Sequence, residues 1–321
     1  MPYIGIDISK QSLGVAFPQQ KGYIVKKYAN DAAGYEQLLG QLPAASSCVL
    51  EATGPYYVRL ATYLHEKQVS VAVVNPLVIK RFSQMRLRRT KTDRADAQLI
   101  AAYGEVEKPT CWQPATVFIS ELQQESTVLE GLIQQRTALK NQQEAFNQLP
   151  HVSPEARRSL ETVLQTLQQQ IEVLKKNMAR KAKENQGPQL ENITSLPGIG
   201  NKTAIQLLII TQGFSRFHNA KQLCAYVGLS PRAYESGTSV KGKARISKLG
   251  MSRTRALLYL CAWSAVKYNQ AFKDLYQSLL AKGKAKKLTL IAVANKLLKQ
   301  AFALATKNQK YEENFALKLA S

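Results

Sequence analysis

The chain opens on strict alternation of apolar and polar positions. In Tyr3-Ile4-Gly5-Ile6-Asp7-Ile8-Ser9, Ile4, Ile6 and Ile8 share one face and Gly5, Asp7 and Ser9 the other, the period of a half-buried strand. Leu13 to Phe17 and Tyr23 to Tyr28 read as two further short strands, so the sheet begins as a meander. A helical stretch from Asp31 to Leu42 follows, then an apolar strand from Cys48 to Glu51, a helix from Tyr56 to Glu66, and a strand from Ser70 to Val74 that ends at the Asn75-Pro76 break. Strands and helices in this order predict an α/β sheet.

Near Glu121 the pattern changes. As far as Lys183 the chain is rich in Leu, Gln, Glu and Lys with almost no Gly, and Leu160, Leu164, Leu167, Ile171, Leu174 and Met178 step by four and three. Leu122, Leu129, Leu132, Leu139 and Phe146 keep the same seam less tightly, and Pro150 and Pro154 interrupt it in the middle. This predicts an antiparallel helical hairpin of coiled-coil type, whose stripe either packs within one chain or pairs two. After Gln186-Gly187-Pro188 the sequence reads as mostly helical and basic. Leu196-Pro197-Gly198-Ile199-Gly200, ahead of a helix-like Lys202 to Ile210, has the form of a helix-hairpin-helix turn, where glycines let backbone N–H groups approach a phosphate; the same turn also serves simply to join two helices. Three units are expected: 1–118, 119–186 and 187–321.

A length of 321 residues suits two or three such units. The longest near-apolar run, Ala256 to Val266, is well short of the roughly eighteen residues of a membrane span, and the N-terminus has no basic-then-apolar signal pattern, so a cytoplasmic protein without a membrane partner is expected. Cys48, Cys111, Cys224 and Cys261 are scattered and His65, His151 and His218 lie far apart, which argues against a disulfide framework or a zinc site.

Charge changes the picture most. There are 44 Lys and Arg against 22 Asp and Glu, a net charge of +22 that a polyanion would neutralise. The excess is concentrated in two runs. Lys80, Arg81, Arg86, Arg88, Arg89 and Lys91 precede Arg94 in the first, and Lys241, Lys243, Arg245 and Lys248 lead the second. These are the candidate nucleic-acid contacts, although a basic run is often only a solvated face.

Within this basic chain four carboxylates stand out. Asp7 is a charge inside an apolar strand, costly to bury unless a cation or donor compensates it. Glu51 closes a second apolar strand, where α/β sheets place functional side chains. Asp93 and Asp96 in Lys91-Thr92-Asp93-Arg94-Ala95-Asp96-Ala97 share one helical face, with Thr92 as the cap. Oxygen ligands of this kind suit Mg²⁺ or Mn²⁺, and two such ions polarise a phosphate and stabilise attacking and leaving oxygens. The segment from Gly228 to Ser239 holds Ser230, Ser236 and Ser239 just before the second basic run, where an exposed serine would meet a phosphodiester. Composition alone reads this segment as a loop, and spacing does not choose among the three serines.

Six motifs occur in order over nearly the whole chain: Tyr3-Ile4-Gly5-Ile6-Asp7, Glu51-Ala52-Thr53-Gly54, Asn75-Pro76, Lys91 to Ala97, Leu196 to Gly200, and Gly228-Leu229-Ser230-Pro231 through Ser236-Gly237 to Ile246-Ser247-Lys248. Together they resemble the insertion-sequence transposases of the IS-one-ten type, relatives of the Piv DNA invertases, which are bridge-RNA-guided recombinases. The resemblance implies an N-terminal RuvC-like RNase H fold with Asp7, Glu51, Asp93 and Asp96 as a metal set, and a mostly α-helical C-terminal transposase domain. It implies that Ser236 is the nucleophile, forming a transient 5′-phosphoserine link to a cut strand. The implied partners are donor and target DNA, a noncoding guide RNA and further copies of the chain, a dimer assembling to a tetramer in which carboxylates and serine meet across protomers.

Two other functions fit the same residues. A hydrolytic junction-resolving nuclease would use the four carboxylates with water, and a non-catalytic nucleic-acid scaffold would use them structurally. An actin-like ATPase also opens on Gly-Ile-Asp, but no later phosphate loop follows.

Overall fold

In the computed structural model, residues 2–87, 92–236, 240–246 and 250–313 are described, and the chain divides into two compact units, Met1–Pro114 and Ala115–Ser321. The first is built on β1 (Tyr3–Ile8), β2 (Ser12–Pro18), β3 (Tyr23–Ala29), α1 (Ala32–Leu39), β4 (Ser47–Glu51), α2 (Tyr57–Glu66), β5 (Ser70–Val74), α3 (Pro76–Met85) and α4 (Asp93–Glu107). Its five-stranded sheet has the order β3-β2-β1-β4-β5. The β1-β2-β3 meander is antiparallel and β4 and β5 run parallel to β1.

Alternation in β1 decides what covers each face. Ile4, Ile6 and Ile8 join Leu13, Tyr35, Leu38, Leu60 and Leu64 in a core under α1 and α2. On the other face Val49, Ala72 and Val74 meet Ile79, Phe82, Leu99 and Ile100 of α3 and α4, while Ala16 packs on Ala97 and Ala101. A mixed sheet with helices on both faces is consistent with the RuvC-like expectation. Asn75-Pro76, read from sequence as a break, starts a helix: Asn75 Oδ1 accepts from Leu77 N at 2.9 Å and Pro76 occupies the first helical turn, where its missing N–H costs nothing.

The second unit begins with the long helices α5 (Val117–Asn147) and α6 (Pro154–Thr194). They pack antiparallel: Lys181 Nζ reaches Glu121 at 2.6 Å and Glu125 at 2.7 Å near one end, and Arg136 donates to Gln168 Oε1 at 2.6 Å further along. Helix α6 breaks locally at Gln186, two residues before Pro188, where the composition also shifts. The base of this hairpin shares a core with α7 (Asn201–Thr211), α8 (Ala220–Val227), α9 (Ser252–Tyr268), α10 (Gln270–Ala281) and α11 (Lys286–Lys307). Helix α11 is long and apolar enough by composition to cross a membrane, a stretch the sequence reading passed over. Its buried Leu290, Val293, Ala294, Leu297, Leu298, Ala301, Phe302 and Ala305 step by three and one, the stripe of a helix packed into a protein core.

The Pro-Gly turn before α7 has a packing role that sequence did not reveal. Gly198 sits at φ +98°, and a Cβ there would lie 2.6 Å from the Cys261 carbonyl oxygen and 2.8 Å from the Ala265 nitrogen of α9. Its bareness therefore admits a neighbouring helix, whereas Gly200, the cap of α7, faces open space.

Between α8 and α9 the segment expected as a Ser-Gly loop is a two-stranded ribbon, β6 (Pro231–Ser236) with β7 (Val240–Ile246). Pro231 pairs with Ile246, Glu235 with Lys241 and Ser236 with Val240, with an irregularity between Arg232 and Tyr234.

Candidate active site

Two structural devices bring the carboxylates together. The first is the parallel register of β1 and β4, which pairs Gly5 with Val49 and Ile6 with Leu50. Asp7 and Glu51, the next residues, therefore lie side by side near the carboxyl ends of adjoining strands. The second is the seat of α4. A Cβ at Gly5 would overlap backbone atoms of Ala97 and Ala101, so α4 rests directly on β1 only because position 5 is glycine. Gly104 repeats the device from the helix side, since a Cβ there would come within 2.8 Å of Val49 and 2.9 Å of the Tyr3 ring.

Asp7 lies two residues beyond Gly5 and shares its face. The first turn of α4, with Asp93 and Asp96, is thereby delivered to Asp7. Thr92 starts that turn as expected, its Oγ1 accepting from Ala95 N at 3.2 Å. Glu51 is steadied by Thr53, whose hydroxyl donates to Glu51 Oε1 at 3.1 Å.

Electrostatics registers the convergence. The Asp7 carboxyl is pushed up from 3.8 to about 6, first by burial and then by the negative charges of Asp96, Asp93 and Glu51, against the opposing effect of a hydrogen bond with the Ile8 backbone. All three other carboxylates thus act on Asp7. They are not drawn into a closed cage: among the described residues no group of three or more His, Cys, Asp or Glu side chains stands ready-made around one point. An all-oxygen set in mutual repulsion is the donor chemistry that a hard divalent cation relieves. A cleft of about 240 Å³ opens beside Asp7 and Asp93, bordered by Ser9, Gly14, Lys27 and Arg94.

The other candidates are carried on other elements. Ser236 is the last residue of β6, and Lys241, Lys243 and Arg245 take alternate positions on β7. Lys80 and Arg81 lie on the exposed side of α3, where Arg81 Nη1 donates to Gln84 Oε1 at 3.0 Å. Arg86 follows the helix with its guanidinium 5.1 Å from the Phe82 ring centre. Arg88, Arg89, Lys91 and Lys248 lie outside the described residues. Sequence reasoning passed over Gly5 and Gly104, which seat the helix, and Lys27 and Arg94, which border the cleft. A Lys-Lys pair inside a short strand was the available signal for Lys27.

Comparison with known proteins identifies the class. A profile described as "Transposase" matches residues 4–152, and one described as "Transposase IS116/IS110/IS902 family" matches residues 190–277. The pilin gene-inverting proteins of Moraxella lacunata and Moraxella bovis are each 31% identical to this chain, over 97% of it and 98% of their own length. The transposase for insertion sequence element IS1111A of Coxiella burnetii is 23% identical over 96% of this chain and 90% of its own. The protein is thus a transposase by class. It belongs to the IS110 family.

Proposed function

We propose that this protein is an RNA-guided DNA recombinase of an insertion sequence, in which Asp7, Glu51, Asp93 and Asp96 hold Mg²⁺ or Mn²⁺ and Ser236 attacks DNA. The observation that carries the reading is the focusing of three carboxylates on a fourth, half-buried one, whose pKa is raised first by burial and then by their charges. A perturbed acid near the carboxyl end of a strand in an α/β unit is a mark of a working site. The likeness to gene-inverting and transposing proteins over nearly full length supplies DNA as the substrate.

Bound there, a divalent cation supplies charge stabilisation at the phosphate undergoing exchange. The chain's own residues do the rest. Asp7 and Glu51 fix one side of the site from the sheet, and Asp93 and Asp96 the other from the first turn of α4. Ser236 Oγ bonds to phosphorus as the P–O3′ bond breaks; the serine gives up its proton and the leaving 3′ oxygen gains one. The 5′-phosphoserine keeps the phosphodiester energy, so a 3′-hydroxyl from the exchanged strand can attack it, restore the DNA linkage and free the serine without ATP. Lys241, Lys243 and Arg245 stand on the strand paired with that of Ser236 and would hold the phosphate backbone. Target choice is assigned to a guide RNA, and a dimer assembling to a tetramer brings carboxylates and serine to one strand.

The test is strand cleavage by the purified full-length protein with its element-end RNA, labelled donor and target DNA, and Mg²⁺. Asp7→Asn and Asp96→Asn are each expected to lower cleavage by at least a hundredfold, and chelation of the cation to do the same. Full activity in both variants would favour a nucleic-acid scaffold in which the carboxylates are structural.

A further inference from the structure

Beside Asp7 the sheet has a bare strip. Register across β1, β2 and β3 aligns Asp7 with Gly14 and Gly14 with Lys27. Directly paired residues of adjoining strands project on the same face, so this row reads carboxylate, gap, cation. The gap lies within the cleft of about 240 Å³, and Arg94, in the first turn of α4, borders the same opening. Lys27 and Arg94 are both exposed, and neither has a hydrogen-bond or ion-pair partner among the described residues. Lys26, by contrast, is occupied: its Nζ donates to Gln41 Oε1 at 2.7 Å and lies 5.6 Å from the Phe17 ring centre.

A nucleic-acid backbone approaching four carboxylates is repelled at every phosphate that the metal does not neutralise. Two uncommitted cations at the edge of those carboxylates, flanking a floor without a side chain, offset that repulsion at one place. We propose that this cleft, lined at its base by Gly14, holds a phosphate of the DNA strand next to the one undergoing exchange, with Lys27 and Arg94 as positioning residues. The inference rests on the carboxylate site acting on DNA, and it adds the direction in which the strand leaves that site, over β2 toward β3.

Binding of the full-length protein to a labelled single-stranded DNA is measured over a salt series without metal, and cleavage is measured separately with Mg²⁺ and guide RNA. Lys27→Ala and Arg94→Ala should each flatten the plot of log affinity against log salt by about 0.7, the loss of one single-strand phosphate contact. Cleavage by both should fall more at low than at saturating DNA, and Lys27→Arg should restore binding and cleavage together. Gly14→Ala should be tolerated, because its Cβ would meet nothing closer than the Asp93 carbonyl oxygen at 3.6 Å.

Unchanged salt slopes and affinities in Lys27→Ala and Arg94→Ala, with wild-type cleavage intact, would overturn the proposal and leave the carboxylate site standing. A loss confined to RNA binding would overturn it too. If the wild type fails to cut DNA at all, the active-site reading falls, while the salt slopes still report whether the cleft takes a phosphate.

Discussion

Asp7 is held in β1, a central strand whose neighbours β2 and β4 are each paired again on their far sides, and α4 is pressed onto it through Gly5 and Gly104. Ser236 ends β6, which among the described residues pairs with β7 alone. Carboxylates that share a cation need mutual geometry held within fractions of an ångström, which packed layers provide and a lone ribbon does not. A nucleophile that must reach DNA, bond to it and let go is better placed at the tip of a small element. On the proposed reading, the metal half of the chemistry is built into the packed sheet of one unit, and the serine half is carried on the β6-β7 ribbon of the other.

The contrast can be broken from the sheet side first. Gly5→Ala drives a methyl into the backbone of α4 where it cannot yield without lifting the helix from the sheet. The expected cost is at or above about 3 kcal/mol, the upper range for overpacked cores, read as a fall in thermal midpoint with loss of the compact N-terminal unit in limited proteolysis. Little change in the midpoint would mean that α4 is not seated on β1 as described.

Asp7→Asn should act in the opposite direction on stability while removing activity. Because the native Asp7 pKa is raised from 3.8 to about 6, the folded state binds its proton more tightly than the unfolded chain does. The stability this contributes is complete below the unfolded value and is lost as pH rises through about 6, so at pH 7 the metal-free wild type carries an ionised Asp7 at a cost. Asp7→Asn is therefore expected to raise the metal-free thermal midpoint at pH 7 and to flatten its pH dependence between about 4 and 6. Mg²⁺ should raise the wild-type midpoint at pH 7 more than at pH 5, and scarcely affect the variant. A wild-type midpoint that climbs from pH 4 to 7 without metal would contradict the assigned repulsion.

The smallest effect on stability is expected in the ribbon. Val240→Pro takes away the backbone N–H and fixes the backbone of the residue paired with Ser236. A two-stranded ribbon adds little independent stability, so the thermal midpoint should shift by less than the Gly5→Ala change while covalent chemistry at Ser236 is lost. Global unfolding by this substitution would show that the ribbon supports the second unit after all.

Much of this arrangement was legible in the sequence because burial is one-sided. Ile4, Ile6 and Ile8 face a core while Gly5 and Asp7 face α4, so period two survived in β1, and the Leu seam of the hairpin survived for the same reason. Asp93 and Asp96 were placed by helical spacing and by the Thr92 cap. Seating of α4 was not legible, since glycine leaves no periodic trace and its role appears only when a second element lies against it. The start of α3 was missed because Asn75-Pro76 looks like a terminator, although Asn and Pro together also make a cap and first turn. The ribbon was missed because its Ser and Gly content reads as a loop, although Val240, Gly242, Ala244 and Ile246 alternate with Lys241, Lys243 and Arg245 as in a strand. The choice of Ser236 came from family resemblance alone.

The central claim is that carboxylates and serine serve one reaction, and covalent capture tests it most directly. Purified protein, element-end RNA and labelled donor and target DNA are incubated with Mg²⁺ and run on a denaturing gel beside Ser236→Ala. The account predicts a protein–DNA adduct that requires RNA, metal and Ser236 and is absent from Asp7→Asn. DNA cut without any adduct, and cut equally well by Ser236→Ala, would contradict it and assign the carboxylates to a hydrolytic nuclease with water as the nucleophile.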